Sequence, residues 1–496
     1  MLFNSTEFIF YFLPIVLSGF FLIGKLELYR LSVLWLIAAS LFFYGWWNPA
    51  YLILIIFSIS FNFAVGLLIK KKHSKSTLYL ICGILINLSL VGYFKYANFF
   101  VDNINHITGS YYHLNTIILP LGISFFTFQQ IAYIVDVYKG KVVEHNFYNY
   151  ALFVSFFPQL VAGPIVHHKE LLPQFNIRTN FKIDLNNIGF GLTYFFIGLF
   201  KKIILADTLA LYATPVFTNA ESGELITFFV AWSGAIAYTF QLYFDFSGYS
   251  DMAIGIAKLF NINLPLNFFS PYKSFNVIEF WNRWHITLSR FLREYVYIPL
   301  GGNRKGNIRR YLNLLITMFL CGLWHGAGWT FIIWGILHGF LLLINHFWRY
   351  TRKTFWLMNR ESIYVGRSFS RFITFNAVLI LWVLFRANSF ESAKNILQGM
   401  MGKNGFVLPA QILNIFPPLQ GFVKSVGTMP LLGGGTIMGM VEMLGLFILS
   451  FVLINLPATH EMNARLKYFA LIGSMYFTIQ NIFFGHAPSE FLYFQF

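Results

Sequence analysis

The feature that most constrains this chain is a succession of apolar stretches, about 15 to 22 residues each, repeated along all 496 residues. At 1.5 Å rise per residue, about 20 apolar residues in a helix cross the hydrocarbon of a bilayer. Segments 8–24, 31–46, 50–69, 77–97, 117–138, 187–206, 225–246, 311–324, 327–347, 372–388, 438–456 and 467–485 read as spans. Backbone polar groups in lipid must be satisfied within the segment, so the expected fold class is all-α and polytopic. Composition agrees: 57% of residues are hydrophobic and 11% charged, where soluble domains carry about 25% charged residues. A single integral membrane domain over 1–496, with no soluble domain, is the expectation. The stretch 151–166, "ALFVSFFPQLVAGPIV", holds two prolines and a glycine and reads as a re-entrant or broken element.

The formal charge of +16 has no soluble basic domain to carry it, which argues against nucleic-acid binding. Lys and Arg beside membrane spans record the positive-inside rule and contact with anionic lipid. Segments 25–30, 70–75 and 139–145 hold eight of them: Lys25, Arg30, Lys70, Lys71, Lys72, Lys75, Lys139 and Lys141. Loops 47–49 and 98–115 hold none. The basic loops are therefore assigned to the cytoplasm, together with 273–310 and 349–371, and loop 389–437 to the outside. The N-terminal "MLFNSTEFIF" lacks a basic n-region and reads as a first span rather than a removable signal. Cys82 and Cys321 both lie in apolar stretches and suggest neither a disulfide framework nor a metal site.

Histidines in such company are candidates for chemistry, since ionisable residues within a membrane default to a functional reading. His325 and His338 stand in "CGLWHGAGWTFIIWGILHG" (321–339). Thirteen residues apart, they would be turned by about 220° and separated by ~20 Å in one helix, so they form no pair. Spans 311–324 and 327–347 are expected to make a hairpin entered from the cytoplasm, with His325 at its glycine-flanked tip. Imidazole exchanges protons near neutral pH, which suits His325 to general-base work. For His338 the expected role is structural, donating to a carbonyl on another helix. Neither has a His or carboxylate at i,i+4, so no metal is expected.

A third histidine, His285, lies in "VIEFWNRWHITLSRFLREYV" (277–296). Read as one helix, this segment gathers Glu279, Asn282, Arg283, Arg290, Arg293 and Glu294 within an arc of about 120°. That is the pattern of a helix at the cytoplasmic interface, with His285 aimed toward protein or membrane. It is either an interfacial residue bonded to a neighbour or a histidine facing a reaction chamber. The following loop, "PLGGNRKGNIRR" (299–310), offers glycine backbone and the side chains of Arg304 and Lys305 to an anion. In "QLYFDFSGYSDMAIG" (241–255), Asp245 and Asp251 end an aromatic span, and Gly248 suggests a break there. Helix caps or interhelical hydrogen bonds explain these aspartates as readily as catalysis does.

Three long motifs resemble those of the membrane-bound O-acyltransferase (MBOAT) family: "FDFSGYSDMAIG" (244–255), "LPLNFFSPYKSFNVIEFWNRWHITLSRFLREYVYIPLGGNRKG" (264–306) and "LWHGAGWTFIIWGILHG" (323–339). They make 240–340 the core motif region. "LPLGISFFTFQQIAYIVDVYKG" (119–140), "FPQLVAGPIVHHKELLPQF" (157–175) and "YFQF" (493–496) extend the likeness to nearly the whole chain. The match is to the bacterial branch that O-acetylates exported polysaccharides.

The resemblance implies a ring of tilted helices around a central funnel. It implies His325 as the essential residue of "WHG" and His285 as the second histidine, in "RWH". It also implies an acetyltransferase of the bacterial cytoplasmic membrane that takes acetyl from cytoplasmic acetyl-CoA. The acetyl would pass to a separately encoded, serine-dependent extracytoplasmic acetyltransferase that esterifies a polysaccharide such as alginate or peptidoglycan. Arg304 and Lys305 are then candidates for the CoA phosphates. A D-alanyl transferase of teichoic acids, fed by a carrier protein, is the alternative enzyme. A non-catalytic acyl transporter would show internal repeats, and none is found.

Overall fold

The computed structural model describes residues 1–71, 74–115, 117–141, 146–355, 364–415, 417–421, 423–426, 429–485 and 489–492. Lys72, part of the 349–371 stretch and the terminal "YFQF" lie outside the described residues. The structure is helical almost throughout. Its strands, Val407–Pro409 and Lys424–Val426, pair in parallel as a two-stranded ribbon. Among the described residues seven helices are long and apolar enough to cross a membrane. This is a multi-pass membrane protein.

The chain packs as two compact units. The first comprises 1–200, 248–267 and 464–496. Without water to drive helices together, bundles in lipid are held by close packing and interhelical hydrogen bonds. Here Asn62 and Asn87 exchange amide hydrogen bonds of 3.1 and 2.6 Å between two helices. Gln130 donates to Ser58 Oγ at 2.8 Å and accepts from the Tyr150 hydroxyl at 3.2 Å. Every residue of 151–166 is buried. The helix Phe147–Ser155 stops at Phe156, and Pro158 lies in the first turn of the short helix Phe157–Leu160. Burial in protein is the condition under which such a broken element survives at membrane depth.

Gly248 does not break its helix, contrary to the expectation: Phe228–Leu259 runs 32 residues without interruption. In the first unit these small residues serve close approach. A Cβ on Gly198 would meet the carbonyl oxygen of Gly248 at 2.5 Å, and one on Gly255 would meet the Phe195 amide nitrogen at 2.6 Å.

The second unit comprises 201–247 and 268–463. Its centre is a helical hairpin, Gly306–His325 and Trp329–Phe355. A Cβ on Gly322 would collide with the Phe331 carbonyl oxygen, and one on Gly335 with that of Met318. Glycine at both positions lets the two backbones touch. The first arm has 20 residues, not the 14 of its apolar stretch, because its opening turns carry Arg309 and Arg310.

Candidate active site

The segment expected to form one interfacial helix is broken at the histidine itself. Asn276 caps the first piece, Val277–Arg283, by accepting from the Glu279 amide at 3.0 Å. Glu279 and Arg283 form the i,i+4 ion pair at 2.9 Å. At His285 the backbone turns left-handed, φ 44° and ψ 52°, and a second piece runs Ile286–Leu292. Such a conformation costs a non-glycine residue about 1–3 kcal/mol and gathers at functional sites. The wheel reading failed because the turn resets the helix phase. The inward aim holds: His285 is fully buried.

His325 ends the first arm of the hairpin and is also buried. The His285 and His325 rings stand 6.3 Å apart, centroid to centroid, at 61°. Around His325 are Trp324 at 4.9 Å, Trp334 at 5.1 Å and Phe385 at 5.2 Å. Phe246 meets His285 edge-on at 4.8 Å. Burial pushes the His285 imidazole down from its usual range to about 3, so this ring is neutral at physiological pH and offers one N–H and one lone pair. Two imidazoles in an aromatic surround can together accept a proton and donate a hydrogen bond. That pairing is the minimum for general-base acyl transfer with a stabilised oxyanion.

His338 stands apart. Its Nδ1 accepts from the Trp281 indole at 3.3 Å, and its ring packs on Trp334 at 4.8 Å. The interhelical bond expected here exists, but the histidine accepts rather than donates, and its partner is a side chain. Indole can only donate, so the imidazole nitrogen that faces it accepts.

Arg304 and Lys305 are exposed in the loop before the hairpin. The backbone donors expected to serve an anion there are already engaged. Gly301 donates to Ile298 at 3.0 Å, Gly302 to Tyr297 at 2.9 Å and Arg304 to Gly301 at 3.1 Å. Asn313 fixes the loop by donating to the Gly302 carbonyl at 2.9 Å. The exposed side chains of Arg304 and Lys305 remain for a ligand. Among the described residues no cluster of His, Cys, Asp and Glu could hold a metal ion.

Sequence reasoning offered an interhelical bond for Asp245 but missed the charge triad in the same unit that makes it, with Lys202 and Asp245 buried and Asp207 partly exposed. Lys202 Nζ lies 2.9 Å from Asp245 Oδ1 and 2.8 Å from Asp207 Oδ1. Asp245 thus ties its helix to another, directly before Phe246, which packs on His285. An apolar stretch interrupted by "KK" was the available signal.

Residues 141–385 match the membrane-bound O-acyltransferase family. The chain is 48% identical over 439 residues to a peptidoglycan O-acetyltransferase of Helicobacter pylori, covering 82% of this chain and 81% of that protein. It is 43% identical over 410 residues to a probable alginate O-acetylase, AlgI, of Pseudomonas aeruginosa, covering 81% and 75%. A teichoic acid D-alanyltransferase of Streptococcus thermophilus is 30% identical over 283 residues, covering 53% and 68%. Likeness to the first of these relatives over four-fifths of both chains, together with the paired histidines, leads to one conclusion: the chain belongs to the membrane-bound O-acyltransferase family and is an O-acyltransferase.

Proposed function

We propose that this protein O-acetylates an exported or cell-wall polysaccharide, drawing acetyl from cytoplasmic acetyl-CoA across the bacterial cytoplasmic membrane. The observation that carries the reading is the 6.3 Å pairing of two buried imidazoles, in a chain similar to a peptidoglycan O-acetyltransferase over most of its length. His325 acts as general base: it takes the proton of the acceptor hydroxyl as that oxygen attacks the thioester carbonyl. The C–S bond breaks, and the proton passes to the CoA thiolate as it leaves. His285 donates its N–H to the oxyanion that forms between these events. A donor fixed where charge develops is worth about 10²–10³-fold in rate. The exposed side chains of Arg304 and Lys305 bind the CoA phosphates, Arg as a fork and Lys as a point charge. The immediate acceptor is a separately encoded extracytoplasmic acetyltransferase that esterifies the glycan.

The test is donor identity. Purified protein in proteoliposomes, given radiolabelled acetyl-CoA and no carrier protein, is expected to consume the thioester and release CoA. Turnover that requires an acylated carrier protein would instead favour the teichoic acid type of reaction.

A further inference from the structure

The second unit holds a cavity of about 390 Å3 that the site above does not use. That volume falls within the ~300–1,000 Å3 usual for small-molecule sites. Three elements build it: the helix Asp207–Glu221, through Leu211, Tyr212 and Pro215, a turn that brings Leu431, and the helix Ile437–Asn455 that follows it, which brings Glu442. The turn is firmly seated. Gly433, at φ 59°, packs where a Cβ would collide with the Met440 amide nitrogen. Thr436 caps the helix by accepting from the Gly439 amide at 3.0 Å.

Among the described residues, Glu442 is the one charged residue lining the cavity. It is exposed, and its carboxylate bears electrostatically on the Tyr212 phenol. Among the described residues no hydrogen bond or ion pair engages either group. The floor of Leu211, Pro215 and Leu431 is apolar. An apolar floor beside a phenol and a carboxylate matches a sugar ring, which has a C–H face and an edge of hydroxyls. Hydroxyls donate to a carboxylate as charge-assisted hydrogen bonds. A lipid tail gives Glu442 nothing, and a polyanion is repelled by it.

The loop charges put this cavity outside. Span 187–206 leaves the cytoplasmic side and span 225–246 returns to the basic stretch 273–310, so 207–224 is external. Loop 389–437 is external by the same count. The cavity is formed where these two segments meet, and Glu442 stands in the second turn of the helix Ile437–Asn455, at the outer end of span 438–456.

We infer that this cavity is an extracytoplasmic binding site for a neutral, hydroxyl-rich sugar unit of the acceptor glycan, with Glu442 excluding polyuronates. The inference rests on the reading of the chain as a glycan O-acetyltransferase: the site holds the glycan beside the separately encoded enzyme that esterifies it, and so narrows the class of the final acceptor.

The experiment uses the full chain in nanodiscs and titration calorimetry. Its probes are a β-linked N-acetylglucosamine tetramer, a tetrauronate and a lysine-rich peptide. The neutral tetramer is expected to bind and the tetrauronate not to. Tyr212→Ala and Glu442→Gln should each weaken the tetramer at least tenfold while apparent Tm is unchanged. Glu442→Lys should lose the tetramer and gain the tetrauronate. No binding of the tetramer, equal binding by the variants, or binding of the lysine-rich peptide alone overturns the inference. The last result would mark a protein-docking site. Acetyl-CoA consumption by the wild-type protein is measured separately: its absence sinks the catalytic reading and leaves the binding result standing.

Discussion

Lys202→Met isolates the electrostatics of the second unit. The Lys202 side chain is 2% exposed and lies between Asp245, equally buried, and Asp207, 28% exposed. Methionine keeps the apolar stem and removes the charge, leaving the Asp245 carboxylate buried without its cation. Breaking a buried pair from one side costs about 3–5 kcal/mol, because the abandoned charge must be solvated or protonated. Asp245→Asn should cost less, since Lys202 retains Asp207, which water partly screens. The double variant Lys202→Met/Asp245→Leu removes both buried charges and should recover much of the loss, since apolar replacement of a buried pair is often neutral or stabilising. Apparent Tm in detergent, followed by size-exclusion retention after heating, reads the order: wild type highest, then Asp245→Asn and the double variant, with Lys202→Met lowest. A Lys202→Met protein as stable as wild type would refute the reasoning, as would a double variant less stable than Lys202→Met.

Three further outcomes are expected. His285 has a folded-state pKa of about 3 against an ordinary 6.5, so the folded state binds fewer protons between these values. Its contribution to stability is complete above pH 6.5 and declines as pH falls toward 3; thermal melts should show a steeper acid loss for wild type than for His285→Asn, which also tolerates the left-handed turn. His338→Phe keeps the ring packing but strands the Trp281 indole N–H, which should cost about 1–3 kcal/mol in stability with acetyl transfer still measurable; in a thermal-shift double-mutant cycle the His338 and Trp281 losses should be less than additive. Gly322→Ala drives a methyl into the Phe331 carbonyl at the hairpin crossing, where nothing flexible can yield, so folded protein recovered by size exclusion should fall sharply.

The fold class was legible because span length is set by bilayer thickness, and ten of the twelve stretches reach its lower limit of about 17 residues. The hairpin was legible because its glycines and His325 are neighbours in sequence. His285 and His325 are forty residues apart, and no periodicity connects them; the family motifs, not spacing, joined them. The break at His285 escaped the wheel because amphipathicity presumes the helix it tests. The Lys202 triad escaped because an ion pair between residues 43 positions apart leaves no pattern along the chain. The loop before the hairpin was misread in its donors: two glycines advertise free amides, yet a tight turn consumes them.

The account centres on His325 as the base in acyl transfer, and one comparison tests it most directly. Initial rates of acetyl-CoA-dependent transfer are measured in proteoliposomes for wild type and His325→Ala, with equal insertion and apparent Tm verified. The account predicts a fall of about 10²–10⁴-fold for His325→Ala, the range a positioned general base supplies. A folded His325→Ala protein within a few-fold of the wild-type rate would contradict it.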